Sequence, residues 1–168
     1  MNADALRELQ SPLKKKYRDD PAAAKTPLHA EGDWSDGGIT ATVSGWAGPV
    51  RAGLHEATGG DGSDACSGDM LLQAVLACAG VTLRSVATVL GIEVRRAQLS
   101  AIAHFDARGT LGVSREAPVG VQGLVITARL DTDADDEVLK KLGEMAERYC
   151  VVGQSLAEPP TIVVERAG

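Results

Sequence analysis

The stretch SGDMLLQAVLACAGVTLRSVATVLG, residues 67–91, carries only two charged residues, Asp69 and Arg84. Ser67 and Asp69 suit a helix start, where a small polar side chain caps free N–H groups and an acid meets the positive end of the dipole. Gly91 suits a helix stop. Leu71, Val75, Cys78, Thr82 and Val86 fall on one face at three- and four-residue spacings, and Leu72, Leu76, Leu83 and Leu90 fall near another. Apolar residues on both faces predict a helix buried all round, with sheet on one side and a second layer or second chain on the other. Gly80 leaves room for close packing. Gln73, Arg84 and many small residues interrupt the apolar character, so the stretch reads as a core helix and not a membrane span.

Working outward, Leu6, Leu9, Leu13 and Tyr17 have helical spacing, but Pro12 interrupts it and predicts a short helix or arm. Residues 1–25 read as a helical arm and linker, and 26–168 as a single domain. Within that domain, 26–66 supplies strands and a loop, 67–91 the central helix, and 92–168 further strands, a second helix and a last strand. Strand patterns occur at 27–34, 38–45 and 50–57, separated by the turn-forming Asp36-Gly37-Gly38 and Trp46-Ala47-Gly48-Pro49. Residues 92–113 read as two strands about a turn at 107–110, and 119–129 as another. Val138, Leu142, Met145 and Tyr149 mark one face of a helix with an acidic start and Arg148 near its end. The last strand is predicted at 161–165. The glycine-rich loop from Thr58 to Ser63 lacks the lysine and hydroxyl residue of a phosphate loop, so it reads as a turn.

Aromatic residues are 3% of the chain, so its core must be built from Leu, Val and Ala. A net charge of -6 argues against a nucleic-acid partner. The basic run Lys14, Lys15, Lys16 and Arg18 adjoins Asp19 and Asp20 and reads as a solvated helix face. No basic-then-apolar leader is visible, so the expected compartment is the cytoplasm. Disulfides there are usually transient and chemical. His29, His55 and His104 are scattered, with no metal-ligand spacing.

Three cysteines, Cys66, Cys78 and Cys150, carry the chemistry that the sequence offers. Cys78 lies too far into its helix to gain from the N-terminal dipole and needs stabilisation from elsewhere. Arg51 on a strand and Arg18 in the arm are candidates. Free cysteine also serves as a small core residue, and spacing alone leaves that reading open for Cys78. Cys66, at the helix start, is a rival reactive thiol. Cys150, at a helix end, is sterically free to form a disulfide.

The run GDMLLQAVLACAGVTLRSVATVLGIEV, residues 68–94, together with ERYCVV, residues 147–152, resembles the OsmC/Ohr superfamily. The resemblance extends over most of the chain in element order. It implies an α+β fold with antiparallel sheets around a long buried central helix, in an intertwined homodimer with active sites at the interface. It further implies that Cys78 reduces a small organic hydroperoxide through a sulfenic acid and that Cys150 closes a disulfide with it. No bound cofactor is implied. An external thiol reductant protein would restore the pair, and a lipoylated protein is one such dithiol. Catalytic members carry a glutamate early in the central helix. Here Gly68 takes its place, with Asp69 one position later. The activating arginine has no clear match beyond Arg51 and Arg18, and Val151 replaces the usual proline after the second cysteine. These departures mark a divergent branch. The alternative on the same fold is a non-enzymatic redox sensor or a binder of small apolar ligands; another thiol-dependent transfer or hydrolysis is a third reading.

Overall fold

The computed structural model describes residues 1–167, and its central element is the helix expected from the apolar run. This helix spans Ser67–Leu90 and is the second in the chain, α2. Cys66 occupies its N-cap without a side-chain cap bond, so Ser67 lies inside the first turn and does not cap. Gly91 closes it in the left-handed region at φ 69°, its N–H donating to the carbonyls of Ala87 and Thr88.

Before α2 lie helix α1, Ala3–Asp19, and a sheet of four strands: β1 Glu31–Asp33, β2 Ala41–Gly45, β3 Gly48–Gly53 and β4 Ala65–Cys66. α1 runs unbroken through Pro12. A mid-helix proline removes one backbone hydrogen bond. The helix is supported around it by the Asn2 cap and by the ion pairs Asp4–Arg7 and Lys15–Asp19, each one turn apart.

After α2 come β5 Arg96–His104, the short α3 Ala107–Thr110, β6 Gln122–Asp131, α4 Asp136–Tyr149 and β7 Thr161–Arg166. The expected second strand in 92–113 is absent. Asp106 accepts the Arg108 N–H at 3.0 Å and starts a helical turn there instead.

Both sheets are mixed, which corrects the antiparallel expectation. β1, β2 and β3 are antiparallel, but β4 joins β3 in parallel. β5 and β6 are antiparallel, while β7 lies parallel to β6. α4 is the crossover that brings the chain back in the same direction, as a parallel connection requires.

The core is Val75, Ala79, Leu83, Val86 and Ala87 of α2, Leu124, Ile126, Ala128 and Leu130 of β6, Leu139, Leu142, Ala146 and Cys150 of α4 and its end, and Ile162 of β7. It contains no aromatic residue, as the composition required. α2 is not buried all round. Gln73, Ala77 and Arg84 are exposed, and Val81 is 72% and Val89 56% exposed. Among the described residues, the side of α2 that carries Val81 and Val89 is left open.

α4 presents a face rotated by about one residue from the expected one. Leu139, Leu142, Gly143 and Ala146 point inward, while Tyr149 is 54% exposed. Gly143 sets this rotation, since a Cβ there would lie 2.6 Å from the Ile162 carbonyl oxygen of β7. Small residues, not only large ones, mark the packed face.

Candidate active site

Cys78 sits midway along α2, and Cys150 is the C-cap of α4, so packing α4 beside α2 unites two residues 72 positions apart in sequence. They lie 3.6 Å apart, and both thiols are free. Their environments differ. Cys150 is fully buried, and Cys78 is half-buried. Burial pushes the Cys150 thiol up; the Gly153 N–H opposes this and the neighbouring Cys78 adds to it, leaving the thiol raised. Burial also pushes Cys78 up. There, hydrogen bonds from the Val152 N–H, the Cys150 thiol, the Val151 N–H and the Thr82 hydroxyl outweigh it, and the thiol is lowered. Of the two, Cys78 is therefore the thiol disposed to ionise and attack.

The segment after Cys150 is a tight turn, Gly153–Ser155, that packs against α2. Gly153 donates its N–H to Cys150 Sγ at 3.4 Å. A Cβ at this glycine would stand 3.2 Å from that sulfur and 3.0 Å from Pro160 Cδ, so a larger residue would have to push these neighbours back by a few tenths of an ångström. Thr82, one helical turn after Cys78, donates its hydroxyl to the Cys78 carbonyl at 2.8 Å.

Among the described residues, none of the other candidates is hydrogen-bonded to either thiol. Arg51 on β3 is hydrogen-bonded and ion-paired to Asp64, which raises its pKa further above the usual arginine range. Arg18 is exposed on α1, and Asp69 is exposed in the first turn of α2. No arginine or carboxylate is among the leading influences on Cys78. Cys66, half-buried at the start of α2, is twelve helical positions from Cys78, roughly 18 Å along the axis. Among the described residues, no three His, Cys, Asp or Glu side chains converge as a metal site would need.

Sequence reasoning missed four contributors. Thr82 was visible only as a face residue, although its spacing of four from Cys78 is the signal for a side chain reaching back one turn. Val151 and Val152 act through backbone N–H groups, which leave no mark on residue type. Asp64, the partner of Arg51, stands 13 positions away in a loop. An apolar groove of about 960 Å³ runs between α2 and β5, lined by Leu76, Gly80, Val81, Arg84, Ala97 and Leu99 among others. Neither Cys78 nor Cys150 lines it.

A family model described as OsmC-like protein matches residues 60–165. No curated protein matches the chain. Among solved structures, an organic hydroperoxide resistance protein from Elizabethkingia anophelis aligns with a TM-score of 0.67 at 15% identity, over 85% of this chain and 99% of that one. An OsmC-like protein from Vibrio cholerae gives 0.66 at 12% identity, over 85% and 100%. An organic hydroperoxide resistance protein, OsmC, from Legionella pneumophila gives 0.60 at 16% identity, over 86% and 99%. At these identities the likeness is one of fold.

Proposed function

The chain belongs to the OsmC-like protein family, and on that basis we propose that it reduces organic hydroperoxides with Cys78 as nucleophile and Cys150 as resolving thiol. The observation that carries this reading is the pair itself: two reduced cysteines 3.6 Å apart, one lowered and half-buried, the other raised and buried. Two of the structurally similar proteins are described as organic hydroperoxide resistance proteins, which supports the substrate class.

In the proposed cycle the Cys78 thiolate attacks the distal oxygen of the hydroperoxide. The S–O bond forms as the O–O bond breaks, and the alkoxide takes up a proton and leaves as the alcohol. The Cys150 sulfur then attacks the Cys78 sulfenic acid. The S–S bond forms, and hydroxide leaves as water with the proton from Cys150. An external dithiol, on a thiol reductant protein such as a lipoylated one, reduces the disulfide by exchange and is itself oxidised. A buried resolving thiol beside the nucleophile suits this order, because it traps the sulfenic acid before a second peroxide reaches it.

A homodimer belongs to the same proposal. The uncovered side of α2, with Val81 at its middle, and the groove against β5 are the surfaces that a second copy would cover. Val81→Arg is expected to shift the protein toward monomer in light scattering; an unchanged mass would remove α2 from the interface.

The test is consumption of an organic hydroperoxide with excess dithiol. Wild type is expected to turn over. Cys78→Ser is expected to lose activity by at least about a thousandfold, since the nucleophile is gone. Cys150→Ser is expected to react once and then stall as sulfenic acid. Reduced, folded wild-type protein that consumes no peroxide with any of several dithiols would refute the proposal.

A further inference from the structure

Cys150 caps the end of α4, and the end of a helix is its loosest part: the last carbonyls lack intrahelical partners and the final turn frays. Here one residue ties that end down twice. Glu147, about one turn before Cys150, accepts the Ile162 N–H of β7 on its carboxylate Oε1 at 2.6 Å, in a half-buried position. Its backbone carbonyl, one of those left over at the helix end, accepts Gln154 Nε2 at 2.9 Å from the turn beyond Cys150. A carboxylate in the last turn of a helix opposes the helix dipole, so its place there needs a compensating donor. The Ile162 N–H is that donor, in a charge-assisted bond. Gly143, one turn earlier, lets α4 come close to the carbonyl of the same Ile162, so helix and strand meet at both polar groups of one residue. The circuit closes at the thiol. Buried Pro160 stands beside Gly153, and the Gly153 N–H donates to Cys150 Sγ at 3.4 Å. Cys150 is held from before by Glu147 and from after by Gln154 and Gly153.

Placement matters because the travel is short. The sulfurs lie 3.6 Å apart, and a disulfide needs about 2.05 Å. Closure is a movement of roughly 1.5 Å between two sulfurs already in contact. A misplacement of about one ångström in a reacting atom costs up to about a hundredfold in rate. We propose that Glu147 is the positioning residue of the resolving thiol: together with Gln154 it fixes the end of α4 so that Cys150 faces Cys78, and it thereby sets the rate at which the bridge closes. This deepens the proposed function and rests on Cys78 and Cys150 being its redox pair. Glu147 acts through the placement of Cys150, since its carboxylate is committed to the Ile162 N–H and its carbonyl to Gln154.

The test treats the reduced full chain with oxidised glutathione, quenches with acid and reads the products by mass spectrometry. In the first step the Cys78 thiolate attacks one sulfur of the glutathione disulfide; a mixed disulfide forms and one glutathione thiolate leaves. In the second the Cys150 thiolate attacks the Cys78 sulfur; the internal bridge forms and the second glutathione thiolate leaves. Glu147→Ala is expected to slow the second step about tenfold. It is expected to leave the first within about twofold of wild type. Glu147→Gln keeps an acceptor for Ile162 and is expected to close within about threefold of wild type. Gln154 is exposed, and Gln154→Ala is expected to slow closure by about threefold, the worth of one such hydrogen bond. Leu130→Ala serves as the control for lost stability. Leu130 is buried where β6 pairs with Arg166, at the far end of the strand from the Ile126–Ile162 pair, and its variant is expected to close within about twofold of wild type. Closure at the wild-type rate in Glu147→Ala overturns the proposal, as does that result in Gln154→Ala where circular dichroism shows Glu147→Ala unfolded. Equal slowing of both steps, or a loss in Leu130→Ala as large as that in Glu147→Ala, overturns it too. No hydroperoxide enters the assay. Wild type that closes the bridge here but consumes no hydroperoxide refutes the peroxidase and leaves the role of Glu147 standing; wild type that forms no Cys78–Cys150 bridge refutes both.

Discussion

β6 buries every second side chain, Leu124, Ile126, Ala128 and Leu130, beneath α2 and α4. The β2–β3 hairpin of the other sheet buries none. Near that hairpin, Trp34 and Ile39 are largely exposed, and Trp46 at its tip is wholly so. Both regions are regular, hydrogen-bonded sheet. What separates them is the second layer: α4 returns across the second sheet and seals it, and among the described residues no helix packs across β1, β2 and β3 in the same way. A sheet hides its apolar face only when another layer covers it. The chain from α2 onward thus holds a core of its own, and the thiol pair sits in that part, at the junction of α2 and α4.

The comparison can be broken first by stability. Leu142 is fully buried between the helices and the sheet, and Leu142→Ala is expected to cost about 3 kcal/mol in denaturant unfolding. Trp46→Ala, despite removing a larger side chain, is expected to cost no more than about 0.5 kcal/mol in the monomer. Equal losses would mean that the hairpin is covered in solution, and their dependence on protein concentration would say whether a second copy covers it.

A finer probe uses two helical glycines. A Cβ at Gly143 meets the Ile162 carbonyl at 2.6 Å, whereas one at Gly80 meets only the tip of the Leu99 side chain at 2.9 Å. Gly143→Ala is expected to destabilise by about 2 kcal/mol, because backbone must move. Gly80→Ala is expected to be neutral or to gain up to about 1 kcal/mol from helix propensity, because Leu99 can swing away. Calorimetric melting of both variants checks the contrast.

The smallest expected effect is on pH dependence. Cys150 has a raised folded pKa, so its contribution is present below the unfolded thiol value and is lost as pH rises through the folded one. Cys78 has a lowered pKa, so its contribution is present above the unfolded value and is lost as pH falls through the folded one. The two oppose each other in alkali. Cys78→Ser is therefore expected to lose melting temperature faster than wild type from pH 8 to 10, and Cys150→Ser more slowly.

Much of this fold is legible in residue pattern. The long helix, its glycine stop, the late helix with acidic start and the all-aliphatic core follow from periodicity and composition. Three features do not. The parallel pairing of β7 with β6 depends on where α4 packs. The rotation of α4 is set by contact between Gly143 and Ile162, a tertiary event. The open side of α2 carries Val81 and Val89, which look the same in sequence whether covered or bare. At the site, Cys78 and Cys150 stand out as rare residues on two helices, and the packing of those helices unites them. Thr82 and the amides of Val151 and Val152 stay hidden, because a hydroxyl four positions on is common and an N–H belongs to almost every residue.

The central claim is that Cys78 and Cys150 are one redox pair. Its most direct test is to treat the reduced protein with one equivalent of an organic hydroperoxide and map disulfides by non-reducing peptide mass spectrometry. The account predicts a Cys78–Cys150 bridge within one chain, with Cys66 free and one alcohol released per bridge. A bridge through Cys66, or intact hydroperoxide beside three free thiols, would contradict it.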